Sequence, residues 1–567
     1  ASPAEKALAC KKLAIDGSVE ALPDLAKLLP DPQLSSWARI ALEAIPGPQV
    51  DQTLREAANS IDGILLVGII NSIGVRQDPE AVDALTQHLQ DKNPEVAAAA
   101  AVALGRIGNA NATKSLRQAF TAASANVRSA VAEGYLLCAE RLHAAGEPQA
   151  ATKIYDEIRG ADLPKQRIIE ATRGAILARN EEGIPLLLET FRSPDKKMFQ
   201  LALGTAREFP GSAVDEALAA ELPNSTPPRA ALMIQAMADR PETVMLAAVL
   251  KAADQGDPQV RMSAINALQR VGDPSCISVL LKTADGDDTE LANAARQTLA
   301  ALPGANVNTQ IVAMLPGLKG ERYALLLRLI GKRRIDAVNE VIQALDDSDS
   351  EVRSAAFYAL GETINLDKLP VLIAQVVRPK TSQDAEKAEQ ALMVASIRMP
   401  DREACTAVLA STMNRASSGT KSTLLEIVGA VGGNNALRTL AAAAKSNDPE
   451  HQDISSRLLG KWNSVDAAPV LLDLATTAPA EKYQIRALRG YIGIARKFPM
   501  PEQERVEMCR KAIDASSRTA EQQLVLDVLK IHPSQDGLNL TIKAKQIPQL
   551  SKEAEAAAQF IQQKLGK

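Results

Sequence analysis

The chain has 567 residues, of which 46% are hydrophobic but only 3% aromatic, and its 64 basic and 68 acidic side chains leave a formal net charge of −4. One compact core does not serve a chain this long, and an apolar fraction built from Ala, Leu, Ile and Val suits many thin helix–helix layers rather than one wide globular core. The charge balance argues against a nucleic-acid partner, and with no run approaching 18 apolar residues no membrane-spanning helix is expected.

The chain starts Ala1-Ser2-Pro3, small residues of the kind left by signal-peptide cleavage, or simply by trimming. Asn93-Pro94-Glu95-Val96 then predicts a helix start, followed by an Ala-rich run to Leu104-Gly105-Arg106-Ile107-Gly108. A similar unit begins at Asn126-Val127-Arg128 and reaches Gly134-Tyr135-Leu136. From 140 to 250 the pattern blurs, but Ile168–Leu177 and Gly183–Phe191 still read as helices, with loops marked by Pro210-Gly211 and Pro227-Pro228. The pattern returns at Asp257-Pro258-Gln259-Val260-Arg261, running to Ala267-Leu268 and Gly272, with a second helix from Asp273-Pro274 to Leu281. It recurs at Asp349-Ser350-Glu351-Val352-Arg353, leading to Ala359-Leu360-Gly361. Val96 and Val127 lie 31 positions apart, as do Val260 and Leu291, and Val352 follows Val260 by 92, close to three periods.

Each unit has a physical reading. Asp or Asn caps the helix, Pro or Ser takes its first position, and the Val points inward at the head of an apolar stripe. Leu-Gly is expected to end the helix, with Gly in a left-handed cap. Two amphipathic helices cannot bury their apolar faces alone, so neighbouring units must stack. The Asp-Pro-x-Val-Arg and Ala-Leu-Gly elements resemble the short HEAT repeat, also described as phycobilin-lyase HEAT-like. The resemblance implies an all-α fold, a right-handed α-α superhelix of the HEAT/armadillo type. One continuous solenoid over 1–567 is expected, most regular near 78–140 and 240–362, with about 13 to 16 helix pairs and a contour on the order of 100–150 Å.

A second resemblance rests on Lys482-Tyr483-Gln484-Ile485-Arg486-Ala487-Leu488-Arg489-Gly490-Tyr491-Ile492, on Leu458-Leu459-Gly460-Lys461-Trp462 with Asp466–Leu472, and on Ala206-Arg207-Glu208-Phe209-Pro210-Gly211. These runs resemble blocks in exported HEAT-repeat proteins of planctomycetes and related bacteria, which are often linked to 3-keto-disaccharide hydrolase or cytochrome c domains. The resemblance implies a periplasmic or secreted address, with the cytoplasm as the alternative. It also implies association with carbohydrate-degrading or redox proteins. Neither companion domain is read in these residues, so no hydrolase activity is expected of them.

The chemistry-bearing residues are scattered. His88, His143, His451 and His532 lie on well-separated repeats without HExxH spacing, which disfavours a metal site, and His88 is expected on a helix surface. Cys10, Cys138, Cys276, Cys405 and Cys509 are more than 100 residues apart and read as buried small hydrophobes. The acidic runs at 285–288 and 346–351 lack calcium-loop spacing and read as helix caps. Gly429–Asn435 reads as a helix end and turn, and Trp37 and Trp462 as packing anchors near helix starts. No Walker A, GxGxxG or GxSxG occurs, so no cofactor and no catalytic residue is expected; a HEAT-like bilin lyase is the enzymatic runner-up.

One cluster stands out. Lys319, Arg322 and Arg328 precede Lys332-Arg333-Arg334, a basic turn where other units carry a non-basic cap. It reads either as cations at a helix C-terminus or as a docking patch for an acidic partner or an anionic glycan. Arg486 and Arg489, with Arg496, share one helix face beside Tyr483, and are read first as bridges between repeats and second as a binding ridge. The expected function is a non-catalytic protein-interaction scaffold whose recognition face is the second helix of each pair. The alternative is an accessory subunit of an extracytoplasmic enzyme complex. The partner in either case is another protein, and homo-oligomerisation stays open.

Overall fold

The computed structural model describes residues 2–566. The terminal Ala1 and Lys567, and the side chains of Ala125, Asn126 and Ala305, lie outside the described residues. The described residues form thirty-five α-helices and nine short 3-10 helices, with no strand. No described helix is long and apolar enough to cross a membrane.

The chain divides into two compact units, Ala1–Thr298 and Leu299–Lys567. Within each, a helix packs on its sequence neighbour and on the helix two places along, so each unit is a stack of helix pairs in two rows. In each unit the Asp-Pro-x-Val-Arg helices belong to the same row, the first row.

The caps form largely as the sequence predicts. Asn93, Asp257 and Asp349 accept the backbone N–H two residues on and start the Pro94–Ile107, Pro258–Val271 and Ser350–Thr363 helices. Asp288 does the same for Glu290 and Leu291. The 346–351 run is a capping ladder: Asp347 accepts from the Asp349 N–H, and Asp349 from that of Glu351. At Asn126 the register differs. The helix is Ala125–Ala144 with Ser124 in the N-cap position, so Asn126 is already inside it.

The Leu-Gly expectation fails in an informative way. Gly105 and Gly361 are buried inside their helices and do not end them. Gly105 meets Gly134 on the next first-row helix so closely that a Cβ on Gly105 would stand 2.3 Å from the Gly134 carbonyl oxygen. Gly361 abuts the backbone of Ala391, and Gly490 that of Gly460. These glycines set inter-repeat distance in the first row. The left-handed cap expected of Leu-Gly falls to Gly108, at φ 60°. Gly432 and Gly433, at φ 78° and 93°, make the turn expected after Val431.

The signature Arg has a task of its own. Four residues into the helix, its side chain turns back onto the C-terminal carbonyls of the preceding helix. Arg261 donates to Ala253 O at 3.0 Å, and Arg353 to Asp347 O and Ser348 O at 3.0 Å each. Where Gln replaces Arg the device persists: Gln484 donates to Ala478 O at 2.8 Å, and Gln522 to Ser516 O at 3.3 Å. Helix ends leave such carbonyls unsatisfied unless a side chain or water reaches them.

A second arginine device links successive first-row helices. Arg76 donates to the carbonyls of Leu42, Ile45 and Gly47 at 3.0, 2.7 and 3.1 Å while pairing with Asp51. Arg240 repeats this on Ala206 and Gly211 at 3.2 and 2.6 Å, with the fully buried Asp215 at 3.1 Å. Arg333 and Arg398 close the ends of the helices before theirs in the same way.

All five cysteines are buried, as expected. Burial raises each thiol, that of Cys509 to about 12. The tryptophans depart from expectation. Trp37 is 38% exposed on the Ser35–Ala44 helix rather than a packing anchor. Trp462 is half-buried and follows the end of the Pro449–Gly460 helix rather than starting one. His88 is half-buried at the end of the Val82–His88 helix, 3.6 Å from Asp91.

Candidate functional site: a basic cleft on three first-row helices

The nine residues nominated from sequence separate into two groups. Tyr483, Arg486 and Arg489 lie on the Glu481–Lys497 helix. Tyr483 is buried, and its hydroxyl donates to Pro449 O at 3.1 Å. Arg486 reaches Asp453 at 2.8 Å on the preceding first-row helix, and Arg489 reaches the buried Glu521 at 2.7 Å on the following one. These two arginines are ties between repeats.

The other six lie on or beside the Gly320–Arg333 helix. Lys319 stands at its N-cap position, and Arg322 in its exposed first turn. Arg333 is committed to the carbonyls of Leu299, Ala300 and Leu302 at 3.1, 3.1 and 2.8 Å and to Asn308 at 2.8 Å, and burial lowers its guanidinium below the usual value. Arg334 takes the left-handed position after the helix, φ 52°, and binds Glu362 at 3.1 Å. Arg328 and Lys332, one helical turn apart, face a cleft of about 440 Å³.

The cleft is built on three adjacent first-row helices, Gly320–Arg333, Ser350–Thr363 and Ser382–Arg398. Its central ridge is Ser354, Tyr358 and Glu362, at i, i+4 and i+8. The far wall is Lys387, Ala391 and Val394. Glycine sets how closely the ridge packs: the Tyr358 ring lies over Gly331, where a Cβ would come within 2.8 Å of it. Any side chain there would push the ring out and widen the crossing.

Apolar surface is available. Tyr358 is 43% and Val394 42% exposed, with the buried Phe357 beneath. Burial and the neighbouring Glu362 raise the Tyr358 hydroxyl, so it is a neutral hydrogen-bonding group at ordinary pH.

The charges are not evenly satisfied. Arg328 binds Glu351 at 2.7 Å, and Glu362 is neutralised by Arg334. Lys332 and Lys387, on opposite walls, have no hydrogen-bond or ion-pair partner among the described residues. A cleft between the Glu502–Ala515 and Gln535–Ala544 helices differs in its balance of charge: Glu507, Asp514 and Asp536 line it beside Arg510 and Lys543, and Arg510 is held by Glu507 and Asp514, at 2.7 and 2.8 Å.

Of the residues lining the cleft, Arg328 and Lys332 were nominated from the sequence, and Tyr358, Lys387 and Val394 were not. A signal existed for Tyr358. Counted six residues from the inward Val, the other units carry Val102, Glu133 and Asn266, whereas this one carries an aromatic ring where the helix faces outward. The cleft also lies on the first row, not on the second helices where the recognition face was expected.

No described group of three or more His, Cys, Asp or Glu side chains converges as a metal site. What the arrangement offers is a shallow aromatic and aliphatic floor between two unpaired cations.

Family models for HEAT repeats match residues 62–135 and 216–300, and one for the HEAT repeat matches 337–365, which includes the cleft's central helix. Comparison with curated proteins gives no match. Among solved structures, the chain resembles one in which Kap95p binding induces the switch loops of RanGDP to adopt the GTP-bound conformation, with 13% identity, TM-score 0.40 and full coverage of both chains. It also resembles Kap121p, at 11% identity and TM-score 0.38 over 95% of this chain and 71% of that one. Human deoxyhypusine hydroxylase in complex with glycerol matches at 20% identity and TM-score 0.23, over 50% of this chain and 96% of that one.

Proposed function

We infer that this HEAT-repeat chain is a non-catalytic protein-binding scaffold and that the cleft on the Gly320–Arg333, Ser350–Thr363 and Ser382–Arg398 helices is a recognition surface. One observation carries the reading: Lys332 and Lys387 stand unpaired on either side of a half-exposed Tyr358, while the neighbouring Arg328, Arg333 and Arg334 all have partners. Protein-binding centres favour aromatic anchors in preformed, rigid surroundings. The cleft is rigid because glycine crossings and arginine ties fix its three helices. A partner therefore binds without first ordering them, which lowers the cost of association.

In its narrower form the chain is an exported accessory subunit, and the partner a carbohydrate-degrading or redox enzyme. A photo-crosslinking residue at position 358 of the full chain tests the reading, with one at exposed Leu232 as the control. Crosslinking from 358 to a defined protein, lost in the Val394→Arg background, is expected. Crosslinks from 232 but none from 358 would remove the cleft from consideration.

A further inference from the structure

We propose that the cleft takes a short extended protein segment in which an apolar side chain is flanked by acidic residues, in the order acid–x–apolar–x–acid. The inference rests on the scaffold reading and specifies its occupant.

Charge sets the sign. The groups lining the cleft are Arg328, Lys332 and Lys387 against Glu362 alone, in a chain whose net charge is −4. Both unpaired groups are cations, and the one lining carboxylate is held by Arg334. An unpaired ammonium beside apolar surface gains most from a carboxylate that docks where water is partly displaced.

Spacing sets the order. Lys332 and Lys387 are on the outer two of three packed helices, and packed helices stand 8–10 Å apart. The two backbones are therefore about 16–20 Å apart, and the lysine stems reach inward from each side. An extended chain rises about 3.3 Å per residue and shows alternate side chains to the same face. Positions i, i+2 and i+4 thus span about 13 Å, which places acids at i and i+4 against the ammonium groups and residue i+2 over Tyr358 and Val394.

The floor sets the class. A polyanionic glycan offers charge in dense rows and has no apolar side chain for Tyr358, Val394 and Ala391. The two ammonium groups here are separated by apolar surface rather than clustered. A peptide with one apolar residue between two acids fits both features.

The test uses the full chain and a fluorescein-labelled peptide with Glu-Ser-Phe-Ser-Glu at its centre, read by fluorescence anisotropy at low salt. Saturable binding is expected, weakening as salt is added. Replacing both Glu by Gln in the peptide, the double variant Lys332→Glu/Lys387→Glu, and Tyr358→Ala are each expected to weaken binding by about tenfold. All three protein positions are exposed or half-buried at the surface, and far-UV circular dichroism checks that the variants stay folded. Equal affinity for the Gln peptide, or an unaffected double variant, overturns the proposal. So does binding of a heparin oligosaccharide in place of the peptide. If position 358 crosslinks a protein segment that mass spectrometry shows to lack acids, this inference fails while the scaffold reading stands; if 358 crosslinks nothing, the scaffold reading of the cleft fails first.

Discussion

Gly105 and Gly204 are both helical glycines, yet substitution should act on them with opposite sign. A Cβ on Gly105 would meet the Gly134 carbonyl oxygen at 2.3 Å, whereas one on Gly204 has nothing within 4 Å. Gly105→Ala must push the two helix backbones apart and is expected to lower unfolding free energy by about 1–3 kcal/mol. Gly204→Ala only removes unfolded-state freedom and should raise it by about 0.5–1 kcal/mol. Urea denaturation followed by circular dichroism distinguishes the two. The same scale holds a pH-dependent contribution at Asp384. Burial pushes its carboxyl up, but hydrogen bonds from Arg353 and Thr381 outweigh this and hold it below the ordinary value. A carboxyl lowered in the folded state stabilises above its unfolded pKa of about 3.9, and that stabilisation is lost as pH falls through the folded value. Asp384→Asn should therefore cost stability at neutral pH, with the gap to the wild type narrowing below about pH 4. Burial of the cysteines was legible at this scale, because small apolar thiols spaced far apart have few other uses. The exposure of Trp37 was not, since a large ring is ordinarily buried and only the neighbouring repeats decide otherwise.

At the scale of the helix, local rules served well where partners are local. Asn93, Asp257 and Asp349 cap the helices they precede because the N–H groups they bind are two residues away. The arginine ties were invisible for the opposite reason. Arg240 binds carbonyls 29 to 34 residues earlier, and no short window contains both ends of such a bond. The Leu-Gly motif misled for a related reason: a glycine that ends a helix and one that lets another helix approach look alike in sequence. Arg240→Ala would strand the fully buried Asp215 without its partner. Removing one member of a buried pair costs about 3–5 kcal/mol, and chemical denaturation should show a loss in that range.

Over the molecule as a whole, stability in stacked repeats is local and shared chiefly between neighbours. Hydrogen exchange in Arg240→Ala should accelerate in the Lys196–Glu208 and Ala213–Glu221 helices of the first unit, with amides of the second unit unchanged. Uniform acceleration throughout would mean that the array opens as one body. The repeated helix pair was legible because it recurs, so that several imperfect copies reinforce one another. The cleft was only half legible. Its first wall is a conspicuous run of basic residues, but Lys387 arrives 55 positions after Lys332 on a helix without the repeat motif. Nothing but the stacking of three helices brings the two walls together.

The arginines that close helix ends also give the chain a direction in time. Arg76, Arg240 and Arg398 each close the end of a helix that precedes theirs by about one repeat, and never one that follows. While the protein is being synthesised, such a helix emerges with open carbonyls and waits some thirty residues for the side chain that finishes it. At these three places assembly on the ribosome is then a deferred completion, each helix end left open until its arginine emerges.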